Sequence, residues 1–164
     1  MQQLYPETKE VLECLLNETE FQTIFPEGKE MIKEIKRWKN KEWKDKKDKK
    51  DGTKKLAIAR LMLNIANKTN KGASLNGIKL DGYMPYMDYE NQDEHTEGRS
   101  YYAPEERVIV IGGKASIITG LHELAHHIYG DSELKACVFS ISLFKIAFPK
   151  AFEKLNWEGH MLRT

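Results

Sequence analysis

The segment His122-Glu123-Leu124-Ala125-His126 constrains the fold more than any other part of the chain. Its two histidines can work together only on a helix, where residues i and i+4 project from one face, one turn apart. The flanking residues supply that helix. Ile117, Leu121, Leu124 and Ile128 form an apolar stripe, which leaves His122 and His126 on a different face. Thr119, Gly120 and Ala125 are small or apolar enough to let the helix sit inside a domain. Gly130 stops it. Just before it, Arg107-Val108-Ile109-Val110-Ile111 is a β-branched run stopped by Gly112-Gly113, the clearest strand in the chain.

Two imidazoles at this spacing can converge on one metal ion. Glu123 sits near the same face, within reach of a water at the metal. Zinc there would act as a Lewis acid and acidify the water, and the glutamate would accept the proton. A further ligand is needed downstream, and three residues are candidates. Glu133 lies seven residues past His126, at the start of the next helix, which can turn back against the first. His160, in Glu158-Gly159-His160-Met161, is the second, and Asp131 the third. Asp131 also suits a helix cap together with Ser132. His127 points roughly 100° away around the helix and is excluded. Two imidazoles and a carboxylate suit zinc best, with iron and manganese as alternatives.

The rest of the chain predicts helices at both ends and an irregular middle. Pro6 to Glu18 reads as a short helix with Val11, Leu12, Leu15 and Leu16 on one stripe. A second starts at Pro26, buries Met31, Ile32, Ile35 and Trp38, and runs into a lysine-rich stretch broken by Gly52. A third spans about Lys54 to Lys68. Ala73 to Glu106 reads as short strands and loops. Helices follow over Ser116–Tyr129 and Ser132–Phe148, and a short one near the end. The expected division is a helical, lysine-rich region over 1–53 and a compact α+β domain over 54–164.

Composition narrows the function classes. With 164 residues, 40% hydrophobic and 31% charged, the chain can bury one core without disulfides. No apolar run reaches the roughly 18 residues of a membrane span, and the start lacks a secretory pattern. Cys14 and Cys137 are too few for a disulfide framework and read as free thiols, so a cytoplasmic location is expected. The formal net charge of +1 hides an asymmetry: residues 28–55 hold 13 Lys/Arg against 6 Asp/Glu. Trp38 and Trp43 lie among these lysines, which suggests a weak nucleic-acid contact with rings available for stacking. The interleaved aspartates favour instead a solvated surface with the tryptophans docked on the core.

Three pieces in order resemble the compact, cytoplasmic ImmA/IrrE-like group of zincin metallopeptidases. They are Tyr101-Tyr102-Ala103-Pro104-Glu105-Glu106-Arg107-Val108-Ile109-Val110-Ile111, Leu121-His122-Glu123-Leu124-Ala125-His126, and Glu133-Leu134-Lys135-Ala136-Cys137-Val138-Phe139. The last is similar to the group's acidic helix, often written E-x-E-A-D-x-F-A. Lys135 stands where that pattern has its second acidic residue, and Cys137 where an aspartate commonly supports a metal-binding histidine. The resemblance covers about residues 99–148. It implies a zincin-like fold with a small twisted sheet, Zn2+ held by His122, His126 and Glu133, and Glu123 as catalytic base. It further implies that Val108, Ile109, Val110 and Ile111 form the edge strand that pairs with an extended peptide substrate. Tyr101, Tyr102 and His160 are candidates to stabilise the oxyanion, the alternative for the tyrosines being packing across the sheet. The function so implied is endopeptidase action on an intracellular regulatory protein, in a phage or mobile-element setting. Two alternatives stand beside it. One is a SprT-like protease of DNA-bound proteins using His160 and the basic segment. The other is a non-catalytic zincin-fold binding or anti-restriction module.

Overall fold

The computed structural model describes residues 7–43, 51–69, 78–80, 100–105, 107–111 and 116–155. Within them the chain forms an α+β fold of seven α-helices and three strands. The helices are α1 (Thr8–Glu13), α2 (Glu18–Ile24), α3 (Gly28–Trp38), α4 (Asp51–Ala66), α5 (Ile117–Tyr129), α6 (Glu133–Ala147) and α7 (Pro149–Glu153). The strands are β1 (Ile78–Leu80), β2 (Tyr101–Ala103) and β3 (Val108–Ile111). A π-helical turn over Lys39–Trp43 extends α3.

The sheet order is β1-β3-β2. β1 runs parallel to β3, with Ile78 opposite Ile109 and Leu80 opposite Ile111. β2 runs antiparallel to β3, with Tyr102 opposite Ile109 and Ala103 opposite Val108. Alternate side chains face opposite sides of a strand. Ile109 and Ile111 accordingly join the main core, while Val110, also buried, stands outside that cluster. In the turn before β3, Arg107 adopts the left-handed conformation, φ 57°.

α4 and α5 lie against the sheet and against each other, and α3 and α6 pack on these two helices. Gly120 allows the close approach of α4 to α5, since a Cβ there would meet Ile58 Cγ2 at 3.1 Å and Met62 Sδ at 3.3 Å. One continuous core runs from Val11 through Phe148. Residues on both sides of the boundary expected near residue 53 contribute to it.

Two helix boundaries differ from the sequence reading. The stretch expected as one helix to Glu18 holds α1 and then a break at Leu15–Asn17 before α2. The break has its own bonds. Asn17 Oδ1 accepts the Glu20 N–H at 2.8 Å, and Glu20 Oε1 accepts the Asn17 N–H at 3.0 Å. This reciprocal cap starts a new helix. Ser142 Oγ accepts the Leu16 N–H at 3.0 Å and ties the break to α6. Gly52, read as a breaker, lies in the first turn of α4.

Trp38 is buried, and its indole N–H donates to the Ala57 carbonyl at 2.9 Å. It is therefore unavailable for base stacking, which corrects that part of the nucleic-acid reading. Nearby cations are also engaged within the fold. Lys36 pairs with Glu18 at 3.0 Å, Arg37 with the buried Glu34 at 2.6 Å, and Lys39 donates to the Ala147 carbonyl at 2.8 Å. The lysine run over 44–50 and the side chain of Trp43 lie outside the described residues. Among the described residues, no helix is long and apolar enough to cross a membrane.

Candidate metal centre

Only Gly130, Asp131 and Ser132 separate α5 from α6. A connection that short returns the second helix against the first. Ser132 caps α6 by accepting the Lys135 N–H at 3.1 Å. Glu133 thus opens α6, and its carboxylate reaches the histidines of α5. Glu133 Oε2 lies 3.0 Å from His122 Nε2, and Oε1 lies 3.0 Å from His126 Nε2. The two Nε2 atoms are 3.2 Å apart. His122, His126 and Glu133 form the only three-residue group among the described residues whose donor atoms could hold a metal ion together.

The far sides of the two rings are held as well. His126 Nδ1 lies 2.9 Å from the Gly130 carbonyl oxygen. A carbonyl only accepts, so this nitrogen carries a proton. Gly130 can place that carbonyl because it adopts φ +102°, a backbone conformation strained for other residues. His122 Nδ1 lies 3.8 Å from Cys137 Sγ. Both Nε2 atoms therefore face each other and the carboxylate. Protons satisfy this arrangement poorly, because each Nε2 needs a hydrogen to meet Glu133 and the two hydrogens would crowd one space. A single divalent cation satisfies both lone pairs and the carboxylate at once, so the residues fit a metal of the zinc type.

The electrostatics of the cluster differ group by group. Burial pushes the His122 imidazole below its usual pKa, more than Glu133 raises it. This shift favours the neutral imidazole, the form a ligand must take. Burial also lowers His126, but its bonds to Glu133 and to the Gly130 carbonyl carry it above the ordinary value. Burial raises the Glu133 carboxyl, yet the hydrogen bonds from both histidines outweigh this and bring it to about 2. Glu123 is 6% exposed. Desolvation, opposed by His126 and helped by Glu133, lifts its carboxyl to about 7. A carboxyl poised near neutrality beside a metal-ligand cluster has the proton affinity of a general base. Burial, with the Glu133 and Glu123 charges, pushes the Cys137 thiol up to about 12.

Other residues singled out in the sequence fall elsewhere. Asp131 is exposed and outside the cluster, and Ser132 alone caps α6. His160 lies outside the described residues. Lys135 places its Nζ over the Tyr129 ring, 4.9 Å from the centroid, outside the cluster. Val108–Ile111 is a correction: β3 is paired on both sides, so its backbone groups are already used and it is not an edge strand. The tyrosines divide. Tyr101 is 43% exposed. Tyr102 lies opposite Ile109, on the helix-facing side of the sheet, and its hydroxyl is 3.1 Å from His127 Nδ1.

Two partners had no clear mark in the sequence. His127, set aside because it points away from the ligands, binds β2 through Tyr102. The Gly130 carbonyl, expected only to end a helix, orients His126. An i, i+4 count from His126 reaches Gly130 and was the available signal for the second.

Comparison of the chain with protein-family models, with curated proteins and with solved structures finds no match.

Proposed function

We propose that this chain is a zinc-dependent endopeptidase with a zincin-like site, cleaving a regulatory protein in the cytoplasm, in line with its resemblance to the ImmA/IrrE-like group. The observation that carries this reading is the convergence of His122 Nε2, His126 Nε2 and Glu133 on one point, with Glu123 buried beside them. Zinc held there would supply Lewis acidity that polarises a peptide carbonyl and acidifies water. The chain's own groups supply the rest. A carboxylate oxygen of Glu123 takes a proton from the attacking water and delivers it to the departing amine nitrogen. Gly130 and Cys137 hold the ligand rings in place from behind. Among the described residues β2 pairs on one side only. An extended peptide can therefore add to Tyr101–Ala103, with backbone hydrogen bonds giving affinity. The Tyr102–His127 bond fixes that strand to the helix carrying the ligands.

The test is cleavage of a complex peptide library by zinc-loaded protein, read by mass spectrometry of new termini. Wild type should generate a narrow set of cuts. Glu123→Gln should bind zinc and give none. Equal cutting by Glu123→Gln would refute the mechanism, and a zinc-loaded wild type that cuts nothing would favour the non-catalytic binding module.

A further inference from the structure

We propose that Cys137 is the positioning residue for His122, and that its thiol holds the metal affinity of the centre below what a carboxylate there would give. The inference rests on the metal-centre reading above. Its basis is an asymmetry between the two histidines. His126 is backed by a backbone carbonyl at 2.9 Å, a strong acceptor fixed by the end of α5. His122 is backed by Cys137 Sγ at 3.8 Å, a weak acceptor.

α6 grips the His122 ring from both ends. Glu133 and Cys137 are i and i+4 on that helix and share one face. Glu133 meets the ring at Nε2, and Cys137 meets it at Nδ1. Cys137 is 1% exposed and His122 is 2% exposed, so the contact lies inside the core. With Nε2 turned to a metal, Nδ1 carries the proton and the sulfur receives it. An anionic partner at Nδ1 would make the imidazole a stronger donor to the metal. Changing such a partner typically alters metal affinity about 10–100-fold. A neutral thiol fixes the ring's tautomer and angle while adding little to its basicity.

The experiment is a zinc competition titration against a chromophoric chelator, on wild type and on Cys137→Val, Cys137→Ser and Cys137→Asp. Valine keeps the volume and removes the acceptor, so it should bind zinc several-fold more weakly. Serine should restore wild-type affinity, and aspartate should exceed it by about 10–100-fold. Nitrogen-15 NMR of histidine in zinc-loaded wild type should show His122 coordinated through Nε2 with a proton on Nδ1. That proton should exchange faster in Cys137→Val. Unchanged affinity in Cys137→Val, or coordination of His122 through Nδ1, would overturn the proposal while leaving the metal centre standing. Absence of zinc binding by wild type would overturn both, so the two failures are separable.

Discussion

Glu123 and Glu133 flank the same pair of histidines yet titrate in opposite directions. Glu133 is held down at about 2 because both histidines hydrogen-bond to its oxygens. Its lowered pKa stabilises the fold above pH 4.5, and that contribution is lost as pH falls towards 2. Glu123 is raised to about 7 by burial. The fold favours its protonated form, so its contribution is full below pH 4.5 and fades as pH rises through about 7. Metal-free Glu123→Gln should therefore match wild type near pH 4 and exceed it at pH 8, by on the order of 1–3 kcal/mol. Urea unfolding at the two pH values checks this, and equal stability at pH 8 would mean the carboxyl is not desolvated. The same variant retains the three ligands, which is why it separates chemistry from binding.

At the scale of the elements, two junctions set where the helices go. The Asn17–Glu20 cap starts α2 and allows the chain to turn away from α1. Asn17→Ala should lower stability by about 1 kcal/mol, measured by thermal or chemical unfolding. The α2–α3 junction is tighter. A Cβ at Gly28 would lie 2.9 Å from both Phe21 Cδ1 and the Phe21 carbonyl oxygen, and that backbone atom cannot rotate aside. Gly28→Ala should cost about 1–3 kcal/mol through overpacking, despite alanine's better helix propensity. A neutral result would show that α2 shifts freely on α3. These junctions also mark the limit of sequence reading. The stripe of Met31, Ile32, Ile35 and Trp38 is local, so α3 could be read from periodicity. The Leu15–Asn17 break had a local signal that the apolar stripe masked, Asn17 and Glu20 at capping-box spacing, while its tie to Ser142 crosses the fold and has no mark in the sequence.

For the whole molecule, the site was more legible than the sheet that supports it. His122 and His126 are related by one helical turn and follow from spacing, whereas Glu133 was one of three candidates for the third ligand, and the short α5–α6 connection brings it to the pair. The place of β3 depends on β1 as well as on the neighbouring β2, and β1 lies far upstream, with Ile78 opposite Ile109. A hydrophobic run such as Val108–Ile111 reads the same at the edge or the centre of a sheet. Its place between β1 and β2 leaves those two strands at the edges of the sheet among the described residues. In the lysine-rich region the favoured reading holds for Trp38, which docks on the core and bonds the Ala57 carbonyl, and Lys39 donates to the Ala147 carbonyl, so α3 is part of the common core. Two imidazoles and one carboxylate converge on a single point, and the functional reading is that this point takes a metal. Zinc stoichiometry, by elemental analysis of reconstituted wild type, Glu123→Gln and Glu133→Ala, tests that claim most directly. About one zinc per chain in the first two and loss in Glu133→Ala is the predicted result. No zinc in wild type, or full retention in Glu133→Ala, would contradict it.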